Sequence, residues 1–225
     1  MTLATRFVDG LIGLLVRLLC HVDAEDLAKV PRHGPLILAT NHVNNLEILV
    51  LRSRLRDRRV IGLAKSESWD KPILGWLLDR WEAIPIRRGE TDVAALRRAL
   101  SALKEGRILG VAPEGTRSGH GRLQRGRPGI VTLARKSGAP LLPLVFHGGE
   151  TLRRNLRRLR RTPFHVRVGE PFVVRSVRAP LTSDIRQRIA DEIMYRLAEL
   201  LPPAYRGEYE GPPPDEEFLG PVPVA

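Results

Sequence analysis

The sequence predicts an α/β domain with a mainly parallel sheet flanked by helices, preceded by an N-terminal amphipathic helix at the membrane interface. From about residue 34, short apolar segments of strand length alternate with longer amphipathic segments. The most apolar segment precedes this alternating region. The chain has 225 residues, 43% of them hydrophobic, so one domain with a sizeable core is expected.

The apolar segment over residues 4–20 is shorter than the roughly 20 apolar residues that cross a hydrocarbon core. It also carries charged side chains such as Asp9, so it predicts neither a transmembrane span nor a signal peptide. A helix here aligns four residues on one narrow stripe: Arg6, Gly10, Gly13 and Arg17. The wide apolar face favours a membrane-associating helix within residues 1–22, with packing on the protein's own core as the alternative.

The remaining elements follow from apolar runs, caps and glycines. Strands are predicted at Leu36–Thr40, Val60–Ala64, Ala83–Ile86, Arg107–Ala112, Leu141–Phe146, Phe164–Val168 and Phe172–Arg175. Helices are predicted from the N-cap Thr91 to Leu103, from Pro128 to Lys136, and from Ile185 to Leu200 with Ser183 as N-cap. The α/β domain thus spans 23–201, and the Pro-, Gly- and Glu-rich residues 202–225 predict a disordered tail.

The strongly basic composition indicates the kind of partner rather than the fold. The formal net charge is +12, supplied mainly by arginine. Such a surface favours nucleic acid, anionic lipid or phosphorylated substrates, although codon bias also enriches arginine. The single cysteine, Cys20, excludes a disulfide framework within the chain, and no residues stand at metal-ligand spacing, so no metal is expected.

The first candidate catalytic segment runs from Asn41 to Glu47, directly after a predicted strand. Active-site residues often project from strand ends in α/β sheets. His42 can accept a proton from a hydroxyl near neutral pH, and the Glu47 carboxylate can hold the imidazole in the required tautomer. A histidine and a glutamate at this spacing also occur by chance, so the segment alone does not establish catalysis.

The second candidate segment, residues 113–119, also follows a predicted strand. It offers glycines for close approach, hydroxyls, and a guanidinium matched to phosphate oxygens: Gly115, Gly119, Thr116, Ser118 and Arg117. The Gly-Lys-Ser/Thr ending of a P-loop is missing. The segment predicts a phosphate or polyol site, with an ordinary surface turn as the alternative.

Two further segments are ambiguous by themselves. Residues 84–89 place two arginines at the end of a strand, which also describes a solvated strand end. Residues 140–145 form an apolar strand that contains Pro143, which also suits a core strand with an edge or bulge proline.

In order and spacing, the four segments resemble the glycerophospholipid acyltransferase family, which includes the 1-acylglycerol-3-phosphate acyltransferases. That family carries Asn-His-x4-Asp, a strand ending in Arg, Phe-Pro-Glu-Gly-Thr-Arg-Ser, and an apolar strand with proline. The matching residues are Asn41, His42, Glu47, Arg88, Glu114, Gly115, Thr116, Arg117, Ser118 and Pro143. The chain departs from the pattern where Glu47 replaces the aspartate and where Arg87, not an acid, precedes Arg88.

The resemblance implies that a fatty acyl group moves from a thioester to a lysophospholipid hydroxyl, by default from 1-acyl-sn-glycerol-3-phosphate to phosphatidic acid. His42, oriented by Glu47, would deprotonate the hydroxyl, without a covalent acyl-enzyme. Arg88 and Arg117 would bind the acceptor's phosphate. The other matched residues would line the substrate site, namely Asn41, Thr116 and Ser118, with Glu114 and Gly115 beside the glycerol and Pro143 beside the acyl chain.

The same resemblance implies the partners and the location. The donor would be acyl-coenzyme A or acyl-acyl carrier protein, and no cofactor would be needed. The protein would be a peripheral or monotopic protein on the cytoplasmic face of the cell membrane, in contact with anionic lipids.

Other functions remain open on sequence alone. Another lysolipid or an aminolipid would satisfy the same motifs as acceptor, and water could replace it, although the Gly-x-Ser-x-Gly elbow of serine esterases is missing. The basic runs 52–59 and 153–161 would also suit a non-catalytic module that binds anionic lipid or nucleic acid. These runs lack interleaved aromatic residues, so no nucleic-acid partner is expected.

Overall fold

The computed structural model describes residues 3–55, 58, 60–87, 92–175 and 180–223, with side chains from residue 7 onward. The helices are α1 Leu3–Leu19, α2 Leu46–Arg54, α3 Pro72–Arg80, α4 Val93–Lys104, α5 Gly129–Ser137, α6 Leu152–Arg157 and α7 Ser183–Glu199. The strands are β1 Cys20–Asp23, β2 Leu36–Thr40, β3 Val60–Lys65, β4 Ile84–Ile86, β5 Ile108–Val111, β6 Leu141–His147, β7 Thr162–Val168, β8 Phe172–Val174 and β9 Leu219–Pro221. These elements confirm the α/β class.

Within the described residues, the strands form one sheet in the order β1-β7-β6-β2-β5-β3-β4, with β8 beside β6 and β9 beside β8. The five strands from β6 to β4 are parallel, whereas β7 and β8 run antiparallel to β6. Parallel strands end at the same edge of a sheet. The carboxyl ends of β2, β3, β4, β5 and β6 therefore lie on one side of the sheet, where α/β proteins bind ligands.

The sheet separates two apolar cores, and β2 contributes to both. Ile37 and Ala39 face the core formed with α4, α5 and α7, whereas Leu36 and Leu38 face the core formed with α1 and α2. All four residues are buried. Burial on both faces explains why this strand is a continuous apolar run in the sequence.

Helix α1 confirms the predicted N-terminal helix, and one side of it packs against the rest of the domain. Asp9 and Gly13 are buried on the side of α1 that packs against α2, whereas Arg17 is exposed. The Asp9 carboxylate accepts hydrogen bonds from Arg52 Nη2 at 2.8 Å and from Trp81 Nε1 at 3.2 Å. Exposed apolar side chains cover the rest of the helix: Phe7, Leu11, Leu14, Leu15, Leu18 and Leu19. Of the helices described, none has the length and apolar character to cross a bilayer.

Two predicted helix caps differ from those in the structure. Asp92 caps α4, because its carboxylate accepts the backbone N–H of Ala95 at 2.9 Å. The predicted cap, Thr91, lies outside the described residues. Thr182 caps α7 in the same way, and the predicted cap, Ser183, is the first helical residue. Neighbouring residues of capping type compete, and the one whose oxygen reaches an unpaired N–H becomes the cap.

The segment after Leu201 does not form the disordered tail predicted from its composition. It makes short helical turns at Pro203–Tyr205 and Gly207–Tyr209, and β9 then pairs with β8. Phe218 and Leu219 are buried, and Glu192 of α7 accepts the backbone N–H of Phe218 at 3.0 Å. A few apolar side chains suffice here because the core that receives them is already formed by the rest of the domain.

Candidate active site

His42 and Glu47 lie together immediately after β2. Glu47 is the second residue of α2, and its Oε2 lies 3.1 Å from His42 Nδ1. Its Oε1 accepts the backbone N–H of Asn44 at 2.9 Å. The Glu47 side chain is 6% exposed and the His42 side chain 30%, so a buried carboxylate contacts an imidazole that solvent can reach.

The turn between the two residues is closed by Asn44, which sequence analysis missed. Its Oδ1 accepts the backbone N–H of Leu46 at 2.8 Å, an arrangement that asparagine favours just before helices. Its Nδ2 donates to the carbonyl oxygen of Gly149, beyond the end of β6, at 3.0 Å. An asparagine two residues before an apolar helical run is the signal that could have identified this turn.

Asn41 links the end of β2 to β6 through its side-chain amide. Its Nδ2 donates to the carbonyl of Phe146 at 2.8 Å, and its Oδ1 accepts the Phe146 N–H at 2.8 Å. The residue is 2% exposed. The amide of Asn41 therefore has a structural role, and the substrate contact expected for Asn41 stays a prediction.

The loop after β5 lies against the loop after β2. Ser118 donates its backbone N–H to the carbonyl of His42 at 2.8 Å, and Gly119 donates to Val43 at 3.1 Å. The first turn of the β5 loop requires a glycine at position 115, where φ is +68°. The structure thus brings together the two segments that the sequence marked as candidates.

Glu114 lies behind His42 rather than at the surface of the site. Its Oε1 accepts the His42 backbone N–H at 2.9 Å, and its Oε2 accepts that of Gln124 at 3.0 Å. The residue is 2% exposed, and burial raises the pKa of its carboxyl, which these N–H donors partly oppose. Both oxygens of Glu114 are paired within the protein, and the contact with glycerol expected for Glu114 stays a prediction.

Of the two predicted phosphate ligands, Arg117 is among the described residues and Arg88 is not. Arg117 is exposed, and its Nη1 donates to Asn45 Oδ1 at 3.3 Å, so the guanidinium lies near the start of α2. Thr116 is half-buried beside it on the same loop. Arg88, two positions after the last residue of β4 in the sequence, lies outside the described residues.

Pro143 lies within the sheet and not at the strand end. It pairs with Ala39, three residues before His42 in the chain. Pro143 also lies against Gly169. A Cβ added at Gly169 would come 2.9 Å from the Pro143 ring and 3.2 Å from the Leu200 side chain. This buried position places Pro143 in the core that contains α7, apart from the strand-end loops. Across the part of the chain that the structure describes, no group of His, Cys, Asp and Glu could hold a metal ion.

The sequence of this chain belongs to the Acyltransferase family, which it matches over residues 21–147, a range that contains both strand-end loops. One relative, the chloroplastic 1-acyl-sn-glycerol-3-phosphate acyltransferase BAT2 of Brassica napus, is 30% identical over 129 residues, which are 56% of this chain and 37% of that protein. The lyso-ornithine lipid O-acyltransferase of Pseudomonas aeruginosa is 29% identical over 181 residues, which are 72% of this chain and 68% of that protein. The chain therefore spans little more than a third of the plant relative.

A solved structure shares the fold. The crystal structure of the 1-acyl-sn-glycerophosphate acyltransferase PlsC from Thermotoga maritima superposes with a TM-score of 0.61, covering 88% of this chain and 82% of that one. The two sequences are 23% identical, so the likeness concerns the fold.

Proposed function

We propose that this chain is an acyltransferase that moves a fatty acyl group from an acyl thioester to the hydroxyl of a lysophospholipid, with 1-acyl-sn-glycerol-3-phosphate as the acceptor. The observation that carries the proposal is the His42–Glu47 contact of 3.1 Å at the edge where the parallel strands end. The family match over residues 21–147 and the activity for which the plant relative is named support it.

In the proposed reaction, His42 is the general base. Because Nδ1 faces Glu47, the other ring nitrogen, Nε2, takes the proton from the acceptor hydroxyl. The oxygen then attacks the thioester carbonyl, and the C–S bond breaks. His42 gives its proton to the leaving thiolate, so the donor departs as a free thiol. The Glu47 carboxylate stabilises the imidazolium formed between these two transfers.

The acceptor's phosphate would bind to Arg117, with Arg88 as the second cation. Arg117 is exposed on the loop that contacts His42 through Ser118, so a phosphate there would lie close to the base. The donor would be acyl-coenzyme A or acyl-acyl carrier protein, and neither route requires a cofactor.

A second acceptor class has its own support. The lyso-ornithine lipid O-acyltransferase aligns with 72% of this chain, more than the plant relative does. A lyso-aminolipid is therefore the alternative acceptor. It would use the same base but would not need a phosphate ligand at Arg117.

The test is thiol release from acyl-coenzyme A and from acyl-acyl carrier protein with each acceptor in turn, using His42→Ala as the blank. Product that forms only with 1-acyl-sn-glycerol-3-phosphate supports the first acceptor, and product only with lyso-ornithine lipid supports the second. Thiol release that is independent of any acceptor would make the protein a thioesterase and would overturn the proposal.

The exposed apolar face of α1 supports association with a membrane. Phe7 and Leu18 are 75% and 61% exposed, which is unusual for large apolar side chains of a helix packed on a domain. A helix that lies in the interface buries such a face among lipids, and basic residues strengthen its attraction to anionic lipid. We propose that the protein lies on the cytoplasmic face of the membrane.

A further inference from the structure

The C-terminal segment 203–209 lies against the loop over residues 113–127 that follows β5. Leu123 donates its backbone N–H to the carbonyl of Tyr205 at 2.9 Å and accepts the backbone N–H of Glu208 at 3.2 Å. Leu123 is 2% exposed. The segment therefore pairs with the loop on both sides of one buried residue, although it lies outside the part of the chain that matches the family.

A second contact fixes the far end of the loop. Tyr209 Oη accepts the backbone N–H of Gly126 at 2.9 Å and donates to Asp191 Oδ1 of α7 at 2.7 Å. Gln187 of α7 donates from Nε2 to the carbonyl of Gly126 at 2.9 Å. Tyr209 is buried, and this burial raises the pKa of its phenol, so it stays protonated as a donor to Asp191.

Gly207 sets how closely the segment approaches the loop. Its φ is +53°, and a Cβ added there would lie 2.1 Å from the carbonyl oxygen of Leu123. No side chain fits at that distance, so any other residue must push the two backbones apart.

The loop transmits this contact to the candidate base through two neighbouring residues. Gln124 follows Leu123, and its backbone N–H donates to Glu114 Oε2 at 3.0 Å. The other oxygen of Glu114 accepts the backbone N–H of His42 at 2.9 Å. A shift of Leu123 therefore moves the donor that holds one end of the Glu114 carboxylate, and His42 lies at the other end.

We propose that segment 203–209 is a positioning element of the active site, which holds His42 in place through Leu123, Gln124 and Glu114. The inference rests on the proposed acyltransferase function for its activity readout. It assigns a role in catalysis to a segment outside the family match, through Gly207 and Tyr209, which touch no substrate.

The test compares two variants of the segment with a matched control in the full chain. Gly207→Ala forces the segment away from Leu123, and Tyr209→Phe removes only the hydroxyl that binds Gly126. The control, Glu217→Gln, removes one charge of an exposed ion pair, in which Arg188 Nη2 lies 2.5 Å from the Glu217 carboxylate. Glu217 lies beyond segment 203–209 in the chain.

Two readouts are measured on protein that is folded by circular dichroism. Because a misplacement of about 1 Å can cost about 100-fold in rate, Gly207→Ala is expected to lower kcat by about 10- to 100-fold, with KM changed by less than about threefold. Hydrogen exchange at the amides of His42 and Gln124 is expected to be faster in the same variant. Tyr209→Phe should change both readouts in the same direction by less, and Glu217→Gln should change neither.

The outcomes separate this inference from the proposed function. If wild-type protein transfers no acyl group but exchange at His42 and Gln124 rises in Gly207→Ala, the positioning contact stands and the proposed function fails. If folded Gly207→Ala keeps wild-type kcat or wild-type exchange at these amides, the inference is overturned. If Gly207→Ala does not fold, the same two readouts on Tyr209→Phe decide.

Discussion

Glu114 and His42 are 72 residues apart in sequence, and the Glu114 carboxylate accepts the His42 backbone N–H at 2.9 Å. This bond ties the loop after β5 to the loop after β2, and the Ser118 N–H to the His42 carbonyl ties them a second time. Both sides of the His42 backbone are thus held by one loop. The candidate base is therefore positioned by backbone contacts as well as by the Glu47 carboxylate.

Replacing His42 tests the proposed base directly. His42→Ala should lower acyl transfer by about 10²- to 10⁴-fold, the usual contribution of a general base, while the protein stays folded. His33→Ala, at an exposed histidine, is the control and should keep wild-type activity. Steady-state rates of both purified variants check the prediction. More than about a tenth of wild-type activity in His42→Ala would exclude His42 as the base.

Changes at Glu47 separate its charge from its length. Glu47→Gln loses the carboxylate that contacts Nδ1 and should be the least active, since the equivalent change in a serine protease costs about 10⁴-fold. Glu47→Asp keeps the charge but shortens the reach from α2, and a gap of about 1 Å costs about 100-fold. The expected order is wild type, Glu47→Asp, Glu47→Gln. Near-wild-type rates in Glu47→Gln would make Glu47 a structural residue.

Glu114 predicts a pH dependence of stability. Burial raises the pKa of its carboxyl, so the folded protein binds this proton more tightly than the unfolded chain does. Its contribution to the free energy of unfolding is fully present below the unfolded pKa of about 4.3 and is lost as the pH rises through the folded pKa. Glu114→Gln cannot titrate, so wild type should lose stability relative to this variant as the pH rises from about 4 through the folded pKa.

Urea unfolding of wild type and Glu114→Gln at several pH values in that range checks the sign. The difference between the two proteins removes the titration of all other groups. A difference in unfolding free energy that stays constant, or that grows in favour of wild type with rising pH, would contradict the prediction.

The exposed face of α1 predicts membrane binding that one side chain can weaken. Leu18→Asp should reduce partitioning to anionic vesicles by about 10- to 100-fold, because burial of a leucine is worth about 1.5–3 kcal/mol. A point change is preferable to deletion, since Asp9 and Val16 of the same helix are buried in the domain. Val93→Asp, at an exposed position on α4 across the sheet, is the control. Equal pelleting of all three proteins would place the anchor elsewhere.

The order of strands and helices could be read from the sequence because each strand of the parallel sheet is a short apolar run between amphipathic segments. The same patterns located His42 and Glu47 at a strand end, and the resemblance to a family gave them roles. Two weakly patterned elements were not predicted. Helix α2 has no clear amphipathic pattern because basic residues interrupt its apolar ones, and β1 directly continues the apolar segment of α1.

Only the tertiary structure decided which of the matched residues are buried and which are exposed. Asn41, Glu114 and Pro143 stand in the motifs beside His42 and Arg117, yet all three are buried among partners from distant parts of the chain. The C-terminal segment was likewise decided by packing, because Leu219 and Tyr209 find a core and a hydrogen-bonding loop that composition does not reveal. Local sequence determines which backbone conformation a segment favours, whereas burial and pairing depend on contacts between residues that only the folded chain brings together.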